Sequence, residues 1–200
     1  MKHLKTLGLV ATTATALLAF AGAGTATAES TLCKATETPC SAGNALGVGT
    51  EINTQLVPGT QAVLTPSGFF SEEVTCGDSQ ISGKVETATT PSGKMTMSFQ
   101  ECSHKVVVMN SGSLRAHWDS EHNASVTAIG IEVTVEQSGI SCLFGGEVKE
   151  NLTLTGGSPA KADGPADLPG ISGFPCPKSA EWHAEYEALT PKSIYLSKGV

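Results

Sequence analysis

Aromatic side chains are scarce in this chain: two Trp, two Tyr and six Phe make up 5% of its 200 residues. Little ring mass is therefore available for a core. Charge is also sparse, at 16% of residues, which is too low for a coiled coil. Basic residues are the minority, 12 against 19 acidic, so the net charge of −7 has the wrong sign for a nucleic-acid groove or an anionic membrane surface. No two cysteines stand at the C-x2-C or C-x4-C spacing of a zinc site, and neither G-x-S-x-G nor H-E-x-x-H occurs. No cofactor is expected. What is abundant is Gly, with 22 residues, alongside 10 Pro. These break the chain into short segments and favour a many-turned β architecture over long helices.

The start of the chain is not expected to belong to the fold. Met1-Lys2-His3-Leu4-Lys5 is basic, Leu7 to Ala23 is apolar or small, and Ala26-Thr27-Ala28 precedes Glu29. This pattern reads as a signal peptide over 1–28 with cleavage after Ala28. A membrane span is not expected, because Thr12, Thr13 and Thr15 interrupt the apolar run and leave it short of the ~20 residues needed. Residues 29–200 are then one β-rich domain, secreted to the extracellular space or the cell envelope.

Six cysteines, Cys33, Cys40, Cys76, Cys102, Cys142 and Cys176, all follow that cleavage site. An even number in an exported chain points to disulfides. Sequence alone does not fix the connectivity, but spacing ranks it. Cys33 with Cys40 encloses a small loop containing Pro39, Cys76 and Cys102 flank two alternating segments, and Cys142 is left with Cys176. In the chain-entropy picture such loops are worth at most about 2–4 kcal/mol each.

Alternating polarity marks the strands. Ile129, Ile131, Val133 and Val135 alternate with polar residues between Thr127 and Glu136, and Val148, Leu152 and Leu154 do so between Glu147 and Thr155. Ile81 and Val85 on one side of Thr89-Thr90-Pro91-Ser92-Gly93, and Met95, Met97 and Phe99 on the other, predict a hairpin. The run Lys105 to Met109 predicts a strand covered on both faces; shorter strands are expected at Glu51–Val57 and Gln61–Thr65. Residues 156–175, rich in Pro and Gly, predict an irregular surface loop. Residues 179–189 fit both strand and helix; the alternation of Trp182, Ala184, Tyr186 and Ala188 favours strand. The fold class expected is all-β, an antiparallel β-sandwich or irregular barrel stapled by three disulfides, with little helix.

Three segments are candidate sites. Cys76-Gly77-Asp78-Ser79 resembles the nucleophile segment of chymotrypsin-like proteases, but Gln80 replaces the glycine after the serine and the first His after the leader, His104, lies downstream. A turn beside a disulfide is expected instead. His117, Asp119, Glu121 and His122 are candidate metal ligands, although neither a strand nor a helix puts all four on one side. Phe69, Phe70 and Trp118 are candidate exposed aromatics for a ligand surface.

Thr31-Leu32-Cys33-Lys34 with Pro39-Cys40, Val74-Thr75-Cys76 leading to Ile81-Ser82-Gly83, and Phe99-x-x-Cys102 resemble a group of secreted actinobacterial proteins with no established activity. Cys142-Leu143-Phe144-Gly145-Gly146 and Pro175-Cys176-Pro177, with Trp182, Tyr186 and Pro191, extend the likeness over most of the chain. The resemblance implies a bacterial origin, secretion, β structure and disulfides, and transfers no catalytic residue. The function expected is a non-enzymatic secreted or envelope-associated binding or structural module, with a cell-envelope component or a glycan as ligand. The competing expectation is an extracellular hydrolase or metal-dependent enzyme using the His117–His122 loop.

Overall fold

The computed structural model describes residues 30–68 and 72–198, with backbone alone at 147–151. The expected signal peptide and the Phe69–Phe70 pair lie outside the described residues. Fourteen strands follow in chain order: β1 (Ser30–Cys33), β2 (Glu51–Leu56), β3 (Ala62–Pro66), β4 (Val74–Lys84), β5 (Ser92–Cys102), β6 (Lys105–Asn110), β7 (Ser113–Ser120), β8 (Asn123–Gln137), β9 (Ile140–Thr155), β10 (Lys161–Asp163), β11 (Pro165–Pro169), β12 (Ser179–His183), β13 (Tyr186–Thr190) and β14 (Tyr195–Lys198). No helix occurs among the described residues.

The pairings close on themselves. β4 pairs with β2, β2 with β13, β13 with β10, β10 with β9, β9 with β8, β8 with β7, β7 with β5, and β5 returns to β4. All eight pairings are antiparallel, so the architecture is a closed eight-stranded barrel, the barrel alternative of the sequence reading. Closure satisfies every ring edge. The long strands run past the ring. The first part of β4 pairs with β3, which continues to β12 and β11, while the last part of β8 pairs with β6. A separate ribbon of β1 and β14 packs near the β7–β8 turn, where His122 bridges to Leu196.

β8 shows how the interior is assembled. Ala124, Val126 and Ala128 are buried, and then Ile131, Val133 and Val135 are buried, a change of parity in mid-strand. Gly130 makes the change. It sits at φ +73° as an extra residue opposite β9, a bulge that reverses which side chains point inward. Ile129, expected on the apolar face, is consequently 40% exposed. On β9, Gly145 has φ +139°, and a Cβ there would collide with the Ile131 carbonyl oxygen. Close passage of the two longest strands requires the glycine.

Two further expectations are corrected. β6 is covered on one edge only, by β8, and leaves Val107 and Met109 exposed, because β5 turns away to pair with β4. Residues 156–175 are not merely a surface loop: they supply β10 and β11 and bury Ala160, Ala166 and Leu168. Period-two signals fail in such short strands, where only one or two residues point inward. Residues 179–189 are strand, divided between β12 and β13.

All six cysteines are paired, Cys33 with Cys40, Cys76 with Cys102 and Cys142 with Cys176. This is the ranked connectivity. Cys76 and Cys102 stand directly opposite each other on β4 and β5, and the third bridge ties the start of β9 to the segment between β11 and β12.

Candidate functional site: the barrel interior

An eight-stranded barrel is just wide enough for inward side chains to fill it, or for smaller ones to leave room for a ligand. Here many inward positions are alanine: Ala116 on β7, Ala128 on β8 and Ala188 on β13 are all buried, and so is Ala184 just before β13. These methyls do not reach the axis. An internal cavity of about 190 Å³ results, bounded also by Met95, Met97 and Phe99 of β5, Ile131 and Val133 of β8, and Trp182. Phe99 and Trp182 meet edge to face at 4.9 Å between ring centroids. Leu32 and Ile194 contribute to the wall from the region of the β1–β14 ribbon.

The interior carries no ionic charge. Three lysines border it, Lys84, Lys94 and Lys161, but their side chains are exposed. Lys84 is paired with Glu51 at 2.9 Å and Lys161 with Glu185 at 2.7 Å. The Lys161 ammonium is held above its usual range, first by that hydrogen bond and then by the Glu185 charge.

One polar pair interrupts the apolar surroundings. Tyr186, which lines the cavity, is 5% exposed, and its hydroxyl lies 2.8 Å from Ser79 Oγ, itself fully buried. Burial pushes the Tyr186 phenol well above its ordinary range, partly opposed by the Ser79 hydrogen bond. Ser79 thus has a phenol as partner, and solvent does not reach it. The protease-like segment is a strand interior, not a nucleophile turn.

The metal candidates do not come together. His117 and Asp119 point outward from β7, Glu121 is exposed in the following turn, and His122 turns the other way at φ +65°. There its ring stands edge-on to Tyr195 at 5.8 Å, and its buried Nδ1 has no hydrogen-bond partner. Among the described residues the one gathering of three donor groups is Cys33, Glu37 and Cys40. Both sulfurs there are spent in a disulfide, and the Glu37 carboxylate accepts hydrogen bonds from Ser41 and Asn44 that lower its pKa. Trp118 is half-buried against the cluster around Ala116, Ala124 and Val126, and the Lys198 ammonium lies 5.6 Å from its ring centroid. It does not present an open stacking face. At the β5–β6 turn His104 Nδ1 is 3.2 Å from Ser103 Oγ and Nε2 is 3.3 Å from Glu72, but Ser103 Oγ also accepts the Thr75 amide on exposed surface, which makes the trio a tether.

The interior was not singled out by sequence because its signal is negative. Alanine at alternating inward positions looks like any small core residue until ring closure shows that nothing larger faces it. No family model, curated protein or solved structure matches this chain.

Proposed function

We propose that this protein is a non-enzymatic, secreted or envelope-associated binding module that holds a small apolar molecule inside its barrel. The observation that carries this reading is the alanine-walled cavity of about 190 Å³. Cavities of roughly 150 Å³ lined by apolar groups stay dry and take up benzene or xenon, so this volume suits a guest of about that size, not a long acyl chain. A neutral guest fits best, since the bordering lysines direct their charges outward. Three disulfides agree with an oxidising compartment outside the cell, and export by the leader at 1–28 is part of the same proposal. An apolar guest replaces the glycan considered from sequence, because the interior offers few hydrogen-bonding groups to sugar hydroxyls.

The test is calorimetric titration with toluene, paired with a variant in which Ala128→Leu and Ala188→Leu fill the interior. Saturable binding to the unaltered protein, lost in the still-folded variant, is the expected result. Absence of saturation up to the solubility limit of toluene contradicts the proposal.

A further inference from the structure

The Ser79–Tyr186 pair extends the cavity reading, on which this inference rests, to the chemistry of the guest. Each hydroxyl has one proton to donate. Within the pair at 2.8 Å one proton is used, and either oxygen can be its donor. The other proton has no acceptor among the described residues, although Ser79 is 0% and Tyr186 5% exposed. Water is thereby largely excluded, and a buried donor without an acceptor is unfavourable by a sizeable fraction of a domain's net stability. Aliphatic packing would have left this region neutral at no such cost. Phenylalanine and alanine at these positions would fill nearly the same space.

We propose that the interior selects a small neutral molecule bearing one hydrogen-bond acceptor, a ketone, aldehyde or ether oxygen, which takes the unused proton of the Ser79–Tyr186 pair. The apolar body of the guest lies against the alanine wall, while its oxygen meets the one polar point. Both hydroxyls are held by β-strand backbone or its immediate flank, Ser79 on β4 and Tyr186 on β13, so the donor is preorganised. A pure hydrocarbon also enters, but leaves the proton unsatisfied. A guest with several polar groups does not fit, because no second polar pair of this kind lines the cavity among the described residues.

Acetophenone and α-methylstyrene have nearly the same shape and differ in carrying a carbonyl oxygen or a methylene group. Their affinity ratio is measured for the full disulfide-bonded protein and for the double variant Ser79→Ala/Tyr186→Phe, so that ligand desolvation cancels between the two proteins. The expected result is a ratio about three- to ten-fold more favourable to the ketone in the unaltered protein, the span of one neutral hydrogen bond. An equal ratio in both proteins, with α-methylstyrene saturating each, overturns the inference and leaves the cavity reading standing. Failure of both ligands to bind the unaltered protein overturns both. Should the double variant not fold, the infrared carbonyl band of acetophenone bound to the unaltered protein decides. A band lowered from its position in hexane supports the donor, and a hexane-like band overturns it.

Discussion

Tyr186 is the residue on which local chemistry and packing meet. Its phenol ordinarily ionises near 10.0, and burial raises that value in the folded state, with the Ser79 hydrogen bond a smaller opposing influence. The unfolded chain therefore loses this proton at lower pH than the native one. The stability linked to Tyr186 is complete below about pH 10 and declines as pH rises toward the folded value. Spectrophotometric titration should show the Tyr186 phenolate appearing only together with alkaline unfolding, and Tyr186→Phe should remove that late step. A phenolate signal from Tyr186 in protein that stays folded would contradict the burial argument. The alanines make the complementary point at the same scale. Sequence reading saw Trp182, Ala184, Tyr186 and Ala188 alternate and took them as one face of a strand, which they are. That their short side chains leave space depends on the strands opposite.

Among the elements, β8 and β9 carry the most information. Their lengths and alternation were legible, and so was the β4–β5 hairpin with its facing cysteines. The bulge at Gly130 was not, because a glycine between two isoleucines does not announce whether the strand continues in phase. Two substitutions separate the roles of the glycines. Gly130→Ala meets open space but must hold φ +73°, so it should destabilise by about 1–2 kcal/mol. Gly145→Ala has the same backbone problem at φ +139° and also drives its methyl into the Ile131 carbonyl, so its loss should be the greater. Urea unfolding of the two variants gives the order; equal midpoints would contradict the close passage of β8 and β9. β10 and β11 were illegible for another reason: strands of three and five residues flanked by Gly and Pro show no period long enough to read.

At the scale of the whole molecule, a barrel with a hollow interior gives up part of the apolar packing that a filled one would have. The disulfides offset that loss. Each is worth on the order of 2–5 kcal/mol in a small secreted domain, against a net stability of ~5–15 kcal/mol. Reduction of the three bridges should therefore lower the melting temperature sharply or abolish cooperative melting, and calorimetry with and without reductant measures this. An unchanged melt would mean that the strands hold without them. Peptide mapping under non-reducing conditions should recover the pairs Cys33–Cys40, Cys76–Cys102 and Cys142–Cys176. The central claim is that the ring encloses apolar space able to take a guest, and crystals held under xenon pressure test it most directly. The account predicts ordered xenon inside the barrel, between Ala128, Ala188 and Phe99; side chains closing that space, or xenon only outside the ring, would contradict it.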